Sequence, residues 1–298
     1  CKMGSGDWND GMNLVGADGE GESVWLTWFA SLCLDKLTEL CRTAGKEGPE
    51  YAKFAEKLRH AAYESWTGKW FLRGYYDDGS PLGAGGEECG IDSLAQSFAG
   101  FCMPGGARVK TALKSAFEAL YDPNTGITKL LDPPFDAGQR NPGYIRQYCP
   151  GYRENGGQYT HAAIWLAMAL LKNGMAEEGS RVLLGLLPEN HDPAVYKREP
   201  YILPADVYTN KDWYGLAGWT WYTGAAGWFR RAALEWMLGM TVRDKSLTVE
   251  PNLPSGWEGY RARAEIFGNP LEIRVKKGES PQIAEDGAAG TPFSKTSQ

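Results

Sequence analysis

Apolar residues recur at helical spacing in successive pairs of segments, and the pairs are separated by long loops rich in Gly, Pro and Asp. The first pair runs from Glu22 to Ala44, apolar at Val24, Leu26, Trp28, Phe29, Leu32, Leu37 and Leu40, and from Pro49 to Trp66. Pro49 suits the first turn of a helix, where its missing N–H costs nothing. Segments 91–102 and 108–120 form a second pair, 159–172 and 176–187 a third, and 225–238 reads as a last long helix. The loops, 74–90, 122–158 and 188–223, are longer than idle connectors need to be. This pattern predicts a mainly α fold. An α/α toroid would gather the loops at one rim around a pocket; an irregular helical bundle satisfies the same spacing.

After Met240 the period changes. Segments 246–251, 260–267 and 271–276 alternate or are rich in β-formers, which predicts strands of a small sheet. The expected organisation is a helical region over 1–240, a β-sheet region over 241–277 and a disordered, Gly/Ser/Pro-rich tail over 278–298. The 298 residues allow one large domain with a small appendage.

Several function classes are disfavoured. The net charge is −6 with acids and bases interspersed, so no basic patch points to nucleic acid and no basic amphipathic stretch to a membrane surface. No apolar run approaches the roughly 20 residues of a membrane span. Cysteines at 1, 33, 41, 89, 102 and 149 form no C-x-x-C pair and no disulfide-like spacing, so a reducing cytoplasm is the expected location. No His/Cys/carboxylate cluster has metal-ligand spacing, and neither a metal nor a cofactor is expected. The chain begins with Cys at the edge of a motif and lacks a signal-peptide core, which reads as a fragment of a longer protein.

Three segments could carry chemistry. In 4–25, Asp7 and Asp10 flank Trp8 and Asn9 between glycines that permit tight turns. A carboxyl beside an indole is partly desolvated, which raises its pKa and suits it to act as an acid. Spacing alone does not choose between Asp7 and Asp10, and a capping loop would also use such residues. In 148–165, Thr160 fits an N-cap and His161 the first turn that follows. A helix N-terminus with His161 and Arg153 near it could hold an anion, and Glu154 could accept from sugar hydroxyls. A His that merely packs is the competing use. In 217–230, Trp219, Trp221 and Tyr222 precede Thr223 and Gly224, a second helix start that could converge on the same anion. An ordinary Thr cap over a core Trp-x-Trp is the alternative. The 12 Trp and 15 Tyr suit stacking on sugar rings, though filling a large core is the simpler use. Glu87, Glu88 and Asp92 read as capping charges at a helix start.

Together these segments resemble glycoside hydrolase family 94. That family holds cellobiose, chitobiose and 1,2-β-oligoglucan phosphorylases and the C-terminal region of cyclic β-1,2-glucan synthases. The matching strings are GDWNDGMN at 6–13, GESVW at 21–25, IDSLAQS at 91–97, LDPPFD at 131–136, PGYRENGGQYTHAAIW at 150–165, EPYILPADVY at 199–208 and GWTWYTGAAGW at 218–228. The resemblance implies the second half of an (α/α)6 barrel followed by a small C-terminal β-sheet region. It implies Asp10 as general acid, Trp8, Arg153, Glu154 and Asp206 as sugar contacts, and His161, Thr223 and Gly224 as phosphate contacts. It implies inverting, reversible phosphorolysis of a β-linked gluco-oligosaccharide to α-glucose 1-phosphate, with inorganic phosphate as co-substrate and a homodimer in the full-length protein. The competing readings are a glucan-binding or chain-length-controlling region of a cyclic β-1,2-glucan synthase, and an inverting hydrolase. The segment at 204–207, Pro-Ala-Asp-Val, is closer to the β-1,2-glucan members. The run 148–152 departs from the family's usual Tyr-Pro-Pro-Gly, and the family's first half-barrel, with an Arg expected on phosphate, is absent.

Overall fold

The structure, a computed structural model, describes residues 1–278 apart from 47, 222, 223, 244 and 245, together with 282, 283, 291 and 292. Its helices are α1 (Val24–Thr43), α2 (Pro49–Tyr63), α3 (Ser93–Cys102), α4 (Ala107–Leu120), α5 (Thr160–Lys172), α6 (Ala176–Gly185), the short α7 (Pro193–Tyr196) and α8 (Ala225–Arg231). The expected single helix over 225–238 is α8 running without a break into a π-helix at Ala232–Met237. The paired periodicity thus becomes three successive helical hairpins. Their first members, α1, α3 and α5, pack in series, and their second members cover them.

Composition explains these layers. From Ala162 to Leu171 every α5 residue is buried, because the helix has no polar stripe to offer solvent. In contrast, α4 buries Val109, Ala112, Leu113, Ala116 and Leu120, one face at helical spacing. Trp28, Leu94, Phe98, Trp165 and Leu166 belong to the main core between them. No helix among the described residues is long and apolar enough to cross a membrane.

Short strands fix the helix starts. They are β1 (Glu22–Ser23), β2 (Gly74–Tyr75), β3 (Pro81–Leu82), β4 (Ile91–Asp92), β5 (Leu131–Asp132), β6 (Gln158–Tyr159) and β7 (Asp206–Val207). Each of α1, α3 and α5 follows directly from a two-residue strand, and each such strand pairs antiparallel with one from a loop: Glu22 with Tyr75, Ile91 with Asp132, Tyr159 with Asp206. The loops are therefore pinned to the N-terminal ends of α1, α3 and α5. Ser23 caps α1 by accepting from the Leu26 amide at 3.0 Å, and Asp92 caps α3 by accepting from the Leu94 amide at 2.7 Å. Thr160 does not cap α5 as its sequence position led us to expect. It is the first helical residue, Tyr159 holds the cap position without a side-chain bond, and the Thr160 amide donates to the Ala205 carbonyl at 3.0 Å. Pairing with β7 has taken the place of a cap.

The C-terminal region forms two separate hairpins rather than one sheet: β8 (Met240–Arg243) with β9 (Ser246–Val249), and β10 (Gly259–Ile266) with β11 (Asn269–Lys276). Pro251 and Pro254 lie between them, where missing donors prevent a continuous ladder. The Tyr260 hydroxyl donates to the Leu238 carbonyl at 2.7 Å, which ties the second hairpin to the end of the π-helix. The expected tail over 278–298 lies largely outside the described residues; within it Gln282–Ile283 pairs with Thr291–Pro292.

Arg73 joins the first two helix starts. Its guanidinium is fully buried, pairs with Asp7, donates to the Ser23 hydroxyl at 3.1 Å and lies 3.3 Å from Asp92. Burial works against the Arg73 cation, but Asp7 and Asp92 outweigh it and hold its pKa above the ordinary value. Burial in turn pushes Asp92 up to about 6 despite the pull of Arg73. Replacing Arg73 by Met strands two buried carboxyls without their cation. We expect a loss of about 3–5 kcal/mol in urea unfolding; a midpoint unchanged from wild type would show that the triad does not hold the fold.

Candidate active site

The structure separates the two aspartates that spacing leaves equal. Asp7 is 4% exposed, and its carboxylate is committed to Arg73, to the Ser23 hydroxyl at 2.6 Å and to the Asn9 amide at 3.0 Å. Asp10 opens a 3-10 turn at Asp10–Met12 and is exposed. This turn lies against a second one at Tyr144–Gln147, so closely that a Cβ at Gly11 would come within 2.9 Å of the Ile145 side chain. The approach brings the Tyr144 hydroxyl to the Asp10 carboxylate, to which it donates. Burial and that carboxylate together raise the Tyr144 pKa. The Trp8 indole lies edge-on to Tyr159 at 5.1 Å and tilted against Trp165 at 5.9 Å.

From Asp10 the contacts run in a belt that returns to Trp8, two residues before Asp10 in the chain. Tyr144 meets Tyr148 edge to face at 6.2 Å. The Arg153 guanidinium lies 5.0 Å from the Tyr148 ring and 5.0 Å from the Trp219 ring. Arg153 Nε is 3.3 Å from Glu154 Oε2, an ion pair without hydrogen-bond alignment. The Tyr159 hydroxyl donates to Glu154, and burial, reinforced by that carboxylate, pushes Tyr159 up to about 12. Tyr159 then touches Trp8, two residues before Asp10. The belt of aromatic faces, one cation and two carboxylates has the mixed character of a site for a polyhydroxylated, partly apolar molecule.

Asp206 lies beneath the belt. It is 3% exposed and accepts from the Arg153 amide at 3.2 Å. A side chain at Gly218 would overlap this carboxylate, so glycine is required there. Arg153 itself sits at φ 48, a conformation that non-glycine residues seldom adopt. Burial pushes Asp206 up to about 6, and the Arg153 amide and guanidinium offset this only in part.

His161 is in the first turn of α5, 4.3 Å from the Trp165 ring, 6.4 Å from Trp8 and 6.0 Å from Trp228 of α8. Burial lowers its pKa, and its Nε2 has no hydrogen-bond partner. Gly224 is the exposed cap residue of α8; Thr223, its expected companion, lies outside the described residues. The structure thus brings together Trp8, Asp10, Arg153, Glu154, Asp206 and His161, with Gly224 on the helix that reaches His161. Tyr144, Tyr148 and Tyr159 belong to the same belt and were not singled out by sequence; the aromatic density of 144–159 was the available signal. Of the expected capping charges only Asp92 caps a helix. Glu88 instead accepts from the Asp136 and Gly138 amides at 2.6 and 2.7 Å. Among the described residues no group of three or more His, Cys, Asp or Glu could hold a metal ion.

The raised pKa of Asp206 has a thermodynamic consequence. Between about pH 4, near which the unfolded side chain titrates, and about pH 6 the folded state binds a proton that the unfolded state does not. This contribution to stability is fully present below the unfolded pKa and is lost as pH rises through about 6. The difference in unfolding free energy between wild type and Asp206→Asn is therefore expected to shift against wild type from pH 4 to pH 7. Parallel pH profiles would contradict the assignment.

A family model described as the glycosyl hydrolase 94 superfamily, catalytic domain, matches residues 1–239. The chain is 43% identical over 283 residues to the cyclic beta-(1,2)-glucan synthase NdvB of Rhizobium meliloti (strain 1021), an alignment covering 91% of this chain and 10% of that protein. It is 30% identical over 286 residues to a 3-O-beta-D-glucopyranosyl-beta-D-glucuronide phosphorylase of Paenibacillus borealis, covering 92% of this chain and 36% of the relative. A solabiose phosphorylase from the same organism is 30% identical over 293 residues, covering 92% and 37%. The chain thus spans between 10% and 37% of these relatives. With the family model matched over most of its length, the chain belongs to the glycosyl hydrolase 94 superfamily, within its catalytic domain.

Proposed function

We propose that this chain carries the general acid and part of the phosphate site of a glycoside phosphorylase. The reaction is inverting, reversible phosphorolysis of a β-linked gluco-oligosaccharide to α-glucose 1-phosphate, and the linkage is β-1,2. The observation that carries this reading is the belt in which Asp10 is the exposed carboxylate while Asp7 is locked to Arg73. In this reading residues 1–240 are the second half of an (α/α)6 barrel, and 241–277 are its C-terminal β region.

Asp10 protonates the glycosidic oxygen as phosphate attacks the anomeric carbon from the opposite face. The C–O bond to the leaving sugar breaks, the bond to phosphate forms, and the proton stays with the leaving sugar. Trp8, Arg153 and Glu154 hold the sugar, and Asp206 supports them by fixing the Arg153 backbone. The partnerless Nε2 of His161, at the N-terminus of α5, is a donor suited to phosphate. Thr223 and Gly224 complete that site. An inverting hydrolase would need a second, water-activating carboxylate. Glu154 is the candidate, and its pairing with Arg153 and Tyr159 argues for a sugar contact instead. Identity to the cyclic β-(1,2)-glucan synthase supports both the linkage and a second reading, a glucan-binding or chain-length-controlling region of such a synthase.

Phosphate dependence distinguishes these readings. In the protein carrying this chain, Asp10→Asn is expected to lower phosphorolysis of β-1,2-gluco-oligosaccharides by about 10²–10⁴ with the fold intact by circular dichroism. His161→Ala should raise the KM for phosphate about tenfold or more and leave oligosaccharide binding near wild type. Sugar release that proceeds equally well without phosphate would refute the phosphorylase reading. Binding of glucan without any cleavage would favour the synthase region.

A further inference from the structure

Two tryptophans, Trp219 at the edge of the belt and Trp221 beyond it, lie on the surface of this chain. Trp219 is 57% exposed and Trp221 is 74% exposed. Trp221 also has φ 64, in the left-handed region that a bulky side chain rarely enters. Its indole N–H donates to Glu199 Oε1 at 3.2 Å, which orients the ring from one edge and leaves its apolar faces in solvent. Trp219 is continuous with the site, because the Arg153 guanidinium lies between the Tyr148 and Trp219 rings. An indole oriented by a directed hydrogen bond at one edge, in an unfavourable backbone conformation and two residues from a Trp that meets Arg153, suits a binding role.

We infer that Trp219 and Trp221 form a stacking platform for sugar units of a β-linked gluco-oligosaccharide beyond the two that flank the bond being cleaved. This rests on the proposed carbohydrate site and adds a chain-length preference to it. The chemistry is that of an indole face against the axial C–H face of a pyranose, with hydroxyls left to water at the rim. Arg153 joins the platform to the belt, so a chain held at its reacting end by Arg153 and Glu154 continues directly over Trp219. The occupant is an oligosaccharide rather than an apolar partner surface. The patch consists of indole faces beside the charged side chains of Arg153 and Glu199, which suit hydroxyls at the rim.

The test compares chain lengths. In the protein carrying this chain, Trp221→Ala should weaken binding of a β-1,2-gluco-oligosaccharide of several units about tenfold by calorimetry, while Trp221→Phe keeps most of the affinity. Turnover of the disaccharide and the KM for phosphate should stay at wild-type values. An equal loss on disaccharide and longer chains, a shifted phosphate KM, or unchanged affinity for the longer chain would each overturn the platform. Calorimetry without phosphate keeps this test separate from the proposed reaction. If wild type binds the long chain but does not cleave it, the phosphorylase reading fails, and loss of binding in Trp221→Ala still supports the platform.

Discussion

The buried pairing of Arg73 with Asp7 and Asp92 is the constraint on which the geometry of the site depends. One guanidinium satisfies the loop that carries Trp8 and Asp10, the cap of α1 at Ser23 and the cap of α3 at Asp92. Removing three charged groups from water is costly, and the arrangement persists only because each has a partner. An aliphatic core could hold α1 against α3 as firmly. The segment that carries Asp10 also buries Met3, Met12 and Val15 in a smaller apolar cluster, but apolar contacts have no direction and do not orient its carboxylates. The ion triad provides that orientation, and Asp10 follows three residues after the anchor.

The same triad shows where sequence reasoning reaches its limit. The helical hairpins were legible because their apolar spacing is a local property, and α5 could be read as buried from its lack of a polar face. The choice between Asp7 and Asp10 was not local. The two differ through Arg73, which binds Asp7 from 66 residues away, and nothing in GDWNDG reports that partner. Resemblance to the family implies Asp10 where spacing leaves both open, and the proposal for Asp10 draws on the geometry of Asp7, since a carboxylate locked to a buried guanidinium is a poor proton donor. The Thr160 cap failed for a related reason. A threonine before a helix is a good local signal, but pairing of β6 with β7 satisfies that amide from elsewhere in the chain. Tyr144 was missed because its role arises from the approach of two 3-10 turns, which no periodicity encodes.

Three polar groups without partners lie close together beside the belt, and this bears on function. The hydroxyl of Thr160, Nε2 of His161 and Oε2 of Glu154 all lack hydrogen bonds, and they cluster around the N-terminus of α5. Leaving one buried polar atom unpaired costs about 1–3 kcal/mol, so a group of them is unfavourable unless a ligand completes it. The positive φ of Arg153 adds backbone strain at the same place. The core helices show the opposite character, with α5 apolar from Ala162 onward. At the start of α5, then, unsatisfied bonding capacity meets the sugar-facing residues of the belt.

That division explains why the proposed reaction fits this end of the fold. Hydrolysis by inversion asks a protein for two carboxylates, one of them free to activate water. Here the carboxylates near Asp10 are engaged: Glu154 with Arg153 and Tyr159, Asp206 with the Arg153 amide and deeply buried. What remains without a partner at this end of α5 is the His161 Nε2, the Thr160 hydroxyl and one oxygen of Glu154. A ring nitrogen and a hydroxyl that can donate suit an anionic nucleophile, and phosphate needs no base to activate it. In the proposed reaction the unfilled groups beside the belt would serve phosphate, the anionic nucleophile, and ask nothing of a second carboxylate.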